Sequence, residues 1–393
     1  MRVTGPWILP ASYNPRMAQP YDVCIRGSGI VGRTLALLLA RDRLRVALVQ
    51  SPQPPQGASP DVRAYALNAA SRQLLESVRC WPEEDTATPV QAMQVKGDQD
   101  GEVRFDAPPA SALAWIVDVP VLEARLADAV RYQPLVDTVD SPVPAALTVV
   151  CEGRASSSRA EFGVEFDSTP YPQQAIAARL VCEKPHKQTA LQWFSHGNIL
   201  AFLPLGGPTG NSVALVWSVE TSQAPVLLDL PAADFCQRLE EASHQALGQL
   251  RLSSERASWP LQLARARRWS GVMPSAGAPA KTLRSWVLAG DAAHTVHPLS
   301  GQGLNLGLAD VQALAWILHS RDYWRSVGDP RLLRRYERER KAGVLPTGWA
   351  TDGLQQLFSP QAGALQSLRN WGMRRFDQSG PLKAWVAQQA AGL

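Results

Sequence analysis

Residues 289–311, AGDAAHTVHPLSGQGLNLGLADV, place an aspartate, two histidines, a serine and several glycines within one short segment. Three kinds of chemistry use such residues. Asp291, His294 and His297 could ligate a metal ion. Ser300 could act as a hydrolytic nucleophile. The glycine-rich backbone could instead contact a bound ligand through its amide groups.

The metal and hydrolase alternatives lack the partner residues that they need. Metal sites usually present three or four converging ligands, and no further ligand cluster accompanies these residues in the sequence. Ser300 lies in PLSGQG, not in the Gly-x-Ser-x-Gly turn that exposes a hydrolase nucleophile. We therefore expect no metal ion and assign no catalytic side chain.

A role for the backbone agrees with the order of the predicted elements. SWVLAGD (285–291) is typical of a buried strand, with Asp291 at its carboxyl end, and residues 302–320 read as a long helix. The first amide groups of a helix lack intrahelical partners and carry partial positive charge. The backbone of Gly301, Gln302 and Gly303 is therefore expected to face a ligand atom that carries negative charge.

A second glycine-rich segment predicts a dinucleotide site near the start of the chain. GSGIVG (27–32) follows a short strand at 21–26, precedes an apolar helix that ends near Arg41, and is followed by a second strand at 45–50. In such a unit the glycines allow a tight turn, the approach of a pyrophosphate and close helix packing; these are Gly27, Gly29 and Gly32. Gln50 stands where an acidic ribose ligand is usual, and as a neutral amide it can still hydrogen-bond a ribose.

The remaining pattern predicts a second, β-rich domain. Short alternating segments at 90–95, 102–107, 173–182, 198–205, 212–220 and 261–270 indicate an antiparallel sheet. The segment 61–80 is expected to open irregularly and to continue as an amphipathic helix. A further helix is expected at 120–132, and the chain from 331 reads as helical with loops at Pro346 and Pro360. The expected fold class is α/β, with a Rossmann-like domain intertwined with an antiparallel β-sheet domain and followed by a C-terminal helical segment.

The predicted domain limits follow from this alternation. The Rossmann-like domain takes residues 17–88, 118–163 and 270–330, and the β-rich domain takes 89–117 and 164–269. Residues 331–393 form the helical region. Met17 looks like a more natural start than Met1, so 1–16 are expected to be a disordered extension.

Composition limits the classes of function. The chain is 45% hydrophobic and 19% charged, its apolar runs fall well short of a membrane span, and neither a span nor a signal peptide is expected. Five dispersed cysteines (24, 80, 151, 182 and 236) favour reduced thiols and a cytoplasmic location. Residues 321–393 hold 12 Lys or Arg against 6 Asp or Glu. This basic excess is either a solvated helix face or a surface for anionic lipid or a partner, and nucleic acid is not expected because no such motif accompanies it.

The segment 289–311 is very similar to the signature of the flavin-dependent aromatic hydroxylases, the class A flavoprotein monooxygenases. The chain resembles most closely the ubiquinone-biosynthesis hydroxylases among them. The likeness runs over nearly the whole chain from Met17, through the following blocks: GSGIVG (27–32), DVRAYALNAASRQLLESVRCW (61–81), the strands at 183–205 and 213–220, LRRYERER (333–340) and LRNWGMRRFDQSGPLK (368–383).

The resemblance implies an FAD site. Gly27, Gly29 and Gly32 would hold the pyrophosphate, Arg63 would approach the phosphates, and Asp291 would bind the ribityl hydroxyls. CEGRASSSR (151–159) occupies the family's Asp-Gly motif, with Glu152 in place of Asp and with Gly153 matching. The backbone of 301–305 would line the isoalloxazine ring, and the rest of the implied cofactor-binding set is Gln50, Pro298, Gly301, Gln302, Gly303, Leu304 and Asn305.

The resemblance also implies an activity. NADH or NADPH would reduce FAD, O2 would form a hydroperoxide at the flavin C4a position, and a polyprenylated phenol or quinol precursor of ubiquinone would be hydroxylated on its ring. Such an apolar substrate implies a peripheral contact with the inner face of the cell membrane, or a ubiquinone-biosynthesis complex. Two alternatives stay open: another FAD-dependent oxidoreductase on the same scaffold, and a non-catalytic FAD-binding member of that complex. Gln50, Glu152 and a short 133–146 segment keep the second alternative open.

Overall fold

The computed structural model describes residues 21–50, 61–83, 85–97, 101–195, 197–207, 209–273, 284–295 and 302–357, with side chains in the last segment described to residue 344. The strands, in chain order, are β1 (Tyr21–Arg26), β2 (Val46–Val49), β3 (Ala64–Leu67), β4 (Ala87–Val90), β5 (Ala92–Lys96), β6 (Glu102–Asp106), β7 (Ala114–Asp118), β8 (Val136–Val139), β9 (Ala145–Val150), β10 (Phe166–Cys182), β11 (Thr189–Ser195), β12 (Asn198–Leu205), β13 (Ser212–Glu220), β14 (Leu250–Leu252), β15 (Ala257–Ala266), β16 (Ser270–Val272), β17 (Ser285–Leu288) and β18 (His294–Thr295). The helices are α1 (Ile30–Arg41), α2 (Ala69–Ser77), α3 (Val119–Arg131), α4 (Ser158–Glu161), α5 (Ala224–Asp229), α6 (Ala232–Ala242), α7 (Gly303–His319) and α8 (Pro330–Leu357), and Gly290–Ala292 forms a 3-10 turn.

A mainly parallel sheet of six strands forms the first layer, in the order β16–β17–β9–β1–β2–β8. β1 runs parallel to both β2 and β9, and the sheet continues in parallel to β17 on one side and β8 on the other. Every residue of β2 and β17 is buried. Such continuous apolar strands are typical of a parallel sheet covered by helices, and here α1 packs against both α3 and α7.

The junction of β1 and α1 depends on two glycines. Gly27 has a φ of +108°, and a Cβ built on it would lie 2.5 Å from the carbonyl oxygen of Cys151, at the end of β9. A Cβ on Gly32 would lie 1.9 Å from the carbonyl oxygen of Gly27. Side chains at these two positions would push α1 away from the sheet. At Gly29, by contrast, a built Cβ meets nothing within 4 Å.

The second layer is a large, mostly antiparallel sheet in the order β18–β15–β10–β13–β12–β11–β5–β6, with β14 paired to β10. One of its pairings, between β5 and β11, is parallel. Phe235 of α6 is buried against Trp217 of β13, with ring centroids 6.1 Å apart. A small sheet, β3–β7–β4, is built from antiparallel pairs.

The predicted fold class is confirmed, and two local expectations are wrong. Residues 64–67, expected to be irregular, form β3 and pair with β7, because tertiary pairing supplies the backbone partners that a short segment lacks alone. α8 continues through Pro346, where a loop was expected. Pro360 and residues 1–16 lie outside the described residues, and the predicted domain limits stay a prediction. Within the described part of the chain, no helix is both long and apolar enough to cross a membrane.

The two glycines give a matched stability test. We expect Gly32→Ala to lower the free energy of unfolding of the apoprotein by at least about 2 kcal/mol, since the added methyl group must displace backbone. Gly29→Ala adds the same methyl group to open space at an extended φ of −76° and is expected to cost less than about 1 kcal/mol. Urea unfolding of the two apoproteins measures both values, and equal costs would contradict this packing.

Candidate functional site

Five of the predicted cofactor residues follow strands at one edge of the parallel sheet. β1 ends before Gly27, β2 before Gln50, β9 shortly before Glu152 and Gly153, and β17 shortly before Asp291 in the turn that follows it. Carboxyl ends of neighbouring parallel strands form the crevice in which such folds bind ligands. The open space at Gly29 lies at the N-terminus of α1, where helix amide groups favour an anion. The arrangement fits a pyrophosphate.

Asp291 lies in the turn after β17 and is partly buried. Burial raises the pKa of its carboxyl, against the opposing charges of His294, Arg154 and Arg63. Among the described residues, no hydrogen bond to its carboxylate is found. A carboxylate in this state is stabilised by hydroxyl or amide groups that a ligand can bring. Asp291 therefore fits a polyhydroxyl chain such as the ribityl group of a flavin nucleotide.

Two guanidinium groups lie near the same carboxylate. Arg63 lies beside β3 and donates from Nε to Oδ1 of Asp61 at 2.9 Å, and this hydrogen bond raises the pKa of the Arg63 guanidinium. Arg154 follows Gly153 and reaches the carbonyl oxygen of Pro260 at 3.4 Å. Burial raises the pKa of the Tyr65 phenol, the charge of Arg63 lowers it, and the charge of Asp291 raises it further. Two guanidinium groups therefore act on Asp291, and that of Arg63 is already paired with the carboxylate of Asp61.

Glu152 accepts hydrogen bonds within its own loop. Its Oε2 accepts from Ser156 Oγ at 2.6 Å, and its Oε1 accepts from Ser158 Oγ at 2.7 Å. The Ser158 amide also donates to Oε2 at 3.2 Å. Arg159, one residue on, donates to the carbonyl oxygens of Gly153 and Ala292 at 3.3 and 3.2 Å. Despite the longer side chain of Glu152, this loop is thus ordered by its own hydrogen bonds and tied to the turn after β17.

The side chain of Asn305 is used within the fold, whereas only its backbone was expected to contact the ligand. Its Oδ1 accepts from the Asn68 amide at 3.0 Å and from Ser71 Oγ at 2.7 Å, and its Nδ2 donates to the carbonyl oxygen of Ala66 at 2.8 Å. These bonds fix the start of α7 against β3 and α2. α7 begins at Gly303, where a built Cβ meets nothing within 4 Å, and Leu304 is partly buried against the core.

Some expected residues lie outside the described residues: His297, Pro298, Ser300 and Gly301. The described residues contain no group of three or more His, Cys, Asp or Glu that could hold a metal ion. The five cysteines are buried and free. His186 is likewise structural, because its Nε2 lies 3.0 Å from the Leu205 carbonyl oxygen and its Nδ1 accepts from the Gln188 amide at 3.0 Å.

Sequence reasoning missed a buried ionic group behind the site. Asp310 of α7 is fully buried, and its Oδ1 accepts from Arg340 Nε at 2.7 Å. Its Oδ2 accepts from the Gly290 amide at 2.8 Å and lies 2.7 Å from His294 Nε2. Burial alone would raise the pKa of Asp310, but His294 and Arg340 lower it. The only signal in the sequence was an aspartate between the apolar residues Leu308 and Val311.

A parallel sheet whose strand ends meet a glycine-lined helix N-terminus, with a partly buried carboxylate beside it, defines a dinucleotide-cofactor protein. The family is shown by a sequence match. Residues 127–345 match the FAD binding domain family, and because this match spans more than half of the chain, the protein belongs to that family.

Known relatives extend over more of the chain than the family match. The ubiquinone hydroxylase UbiL of Rhodospirillum rubrum is 29% identical, over 94% of this chain and 89% of that protein. The 3-demethoxyubiquinol 3-hydroxylase of Escherichia coli is 27% identical, over 95% and 99%. The p-nitrophenol 4-monooxygenase PnpA of Pseudomonas putida has a similar fold, with a TM-score of 0.70 at 18% identity over 94% of this chain and 97% of that one.

The raised pKa of Asp291 gives a pH test. A carboxyl whose pKa is higher in the folded state than in the unfolded state destabilises the fold once it ionises, and the penalty disappears below the unfolded-state value. We therefore expect the Asp291→Asn apoprotein to be more stable than wild type at pH 7. This gain should vanish as the pH falls to about 4, near the ordinary pKa of aspartate.

Urea unfolding of both apoproteins between pH 4 and pH 7 measures this difference. A gain that is the same at both pH values would contradict an ionised Asp291 whose charge the fold leaves uncompensated.

Proposed function

We propose that the protein is an FAD-dependent monooxygenase that uses NADH or NADPH and O2 to hydroxylate the ring of a polyprenylated phenol or quinol in ubiquinone biosynthesis. The observation that carries this proposal is the extent of the likeness. Two relatives named as ubiquinone or demethoxyubiquinol hydroxylases match this chain over both the parallel sheet and the large antiparallel sheet, not over the FAD-binding elements alone.

In this proposal, residues that follow different strands bind different parts of FAD. The N-terminus of α1, opened by Gly27, Gly29 and Gly32, binds the pyrophosphate, and Gln50 hydrogen-bonds the adenosine ribose. Arg63 neutralises phosphate charge, and the Asp291 carboxylate accepts from the ribityl hydroxyls. Glu152 and Gly153 shape the loop that nicotinamide approaches. Pro298 and Gly301 complete the proposed set from outside the described residues.

The redox and oxygen chemistry belongs to FAD when it is bound. The chain positions the reactants and controls their electrostatics. The backbone of Gln302, Gly303, Leu304 and Asn305 opens α7 and directs its positive end at the flavin edge where negative charge collects. The large sheet orients the ring of the substrate and excludes water from it.

We also infer a peripheral contact with the inner face of the cell membrane, because a polyprenyl tail must be drawn from lipid or from a lipid-handling partner. The start of α8 supports this inference. Arg331, Arg334, Arg335 and Arg338 are exposed there, and such clusters attract anionic headgroups. A ubiquinone-biosynthesis complex is the other partner consistent with the substrate.

The proposal predicts a yellow protein. Apoprotein mixed with FAD should give a flavin absorbance band that survives gel filtration, and a prenylated phenol should stimulate its oxidation of NADH or NADPH. Asp291→Ala should raise the Kd for FAD about tenfold or more, corresponding to the loss of a charge-assisted hydrogen bond. Asp106→Ala, an exposed aspartate of β6, is the matched control and should leave the Kd unchanged.

Two outcomes would contradict the proposal in different ways. A protein that stays colourless with excess FAD would remove the cofactor and the activity together. FAD binding without substrate-stimulated oxidation of NADH or NADPH would favour the non-catalytic alternative.

A further inference from the structure

The turn that carries Asp291 is held at both of its ends by one carboxylate. Before Asp291, the amide of Gly290 donates to Oδ2 of Asp310 at 2.8 Å. After it, Nε2 of His294 lies 2.7 Å from the same oxygen. Asp291 makes none of these bonds itself. Its direction is therefore set by two neighbours that share a single acceptor.

The turn has little freedom apart from these bonds. Gly290 has a φ of +63°, and a Cβ built on Gly307 of α7 would lie 3.3 Å from the Gly290 Cα and 3.0 Å from Val31. The turn is thus pressed between α1 and α7. On its other side, the His294 ring stacks on Trp269, with centroids 5.0 Å apart. A shift of Asp310 would have to move the turn as a unit.

Arg340 of α8 supplies the charge that this arrangement needs. Asp310 is fully buried, and of its described hydrogen-bond partners Arg340 is the only permanently charged one. Its Nη2 also reaches the carbonyl oxygen of Leu306 at 3.4 Å, so the guanidinium spans the carboxylate and the backbone of α7. Removing one partner of a buried ion pair leaves an uncompensated charge that the surroundings must rearrange to accommodate.

We propose that Arg340 is a positioning residue for the cofactor turn: by pairing with Asp310 it holds Gly290 and His294, and thereby aims the Asp291 carboxylate at the ribityl chain of FAD. This inference rests on the proposed FAD-binding function. It makes α8, whose Arg340 lies 49 residues beyond Asp291 in the chain, part of the apparatus that retains the flavin.

A second set of hydrogen bonds in α8 provides a control for the possibility that Arg340 only stabilises the helix. Glu337 accepts from Ser270 Oγ at 2.8 Å and from Lys341 Nζ at 2.6 Å, and Lys341 also donates to the Arg267 carbonyl oxygen at 2.7 Å. These bonds dock α8 on the strand β16 and do not involve Asp310. Glu337→Gln therefore loosens the helix while leaving the Arg340–Asp310 pair in place.

The test compares the Kd values of FAD and ADP by titration calorimetry of apoprotein. ADP carries the pyrophosphate contacts of GSGIVG but no ribityl chain, so it reports the fold of the site without Asp291. We expect Arg340→Gln to raise the Kd for FAD about tenfold and to change that for ADP by less than about twofold. Glu337→Gln and Arg338→Gln, an exposed arginine of the same helix, should change both by less than about twofold.

The double variant Asp310→Asn with Arg340→Gln tests the route of the effect. It removes both buried charges, while the amide oxygen that replaces the carboxylate at position 310 can still accept from Gly290. FAD affinity should therefore return to within about threefold of wild type. If Arg340→Gln does not fold, Arg340→Lys replaces it, with an expected loss of roughly threefold for FAD alone.

Three results would overturn the inference while leaving the proposed function intact: wild-type FAD affinity in Arg340→Gln or in its Lys replacement, an equal loss for FAD and ADP, or the same FAD loss in Glu337→Gln. If the wild-type protein itself does not bind FAD, the proposed function fails instead.

Discussion

The close approach of α1 to the parallel sheet is the constraint on which the site depends. Gly32 contacts the Gly27 carbonyl, and Gly27 contacts the end of β9 at Cys151, at distances that admit no side chain. This contact aligns the N-terminus of α1 with the carboxyl ends of β1 and β9. Because helix amides and strand ends then face one crevice, a pyrophosphate, a ribityl chain and a nicotinamide can be bound by segments far apart in the chain.

Two aspartates, 19 residues apart, have pKa values that are shifted in opposite directions. Asp310 is paired with Arg340 and His294, and its pKa is lowered despite burial. Asp291 lacks such hydrogen bonds among the described residues, and burial raises its pKa. Ionisation of Asp310 is therefore favoured by the fold, whereas ionisation of Asp291 costs stability that a bound ligand can offset. Because the two roles are separate, the hydrogen-bond network of Asp310 can hold the turn in place while the Asp291 carboxylate stays available to a ligand.

Much of the fold and part of the site could be predicted from local sequence. The glycine spacing at 27–32 and the alternation of apolar residues are local patterns that predict helices and strands directly. The elements, and the strand ends that bear Gln50, Glu152 and Asp291, were therefore expected. The parallel β5–β11 pair was not, because alternation defines a strand but not its partner. The side-chain direction of Asn305 depends on Asn68 and Ser71, which lie 237 and 234 residues away. The Asp310–Arg340 pair likewise exists only after α7 and α8 have packed.

In the proposed reaction, this chain uses FAD to insert an atom of O2 into an aromatic ring. The most direct measurement is the mass of the product formed by FAD-loaded protein, NADH or NADPH and a prenylated phenol under ¹⁸O2 in ordinary water. We expect a product two mass units heavier than the one formed under ordinary O2, and no label when the ¹⁸O is supplied as water. A product that takes its oxygen from water, or an oxidised substrate without added oxygen, would contradict monooxygenation and identify a different flavin-dependent reaction on this scaffold.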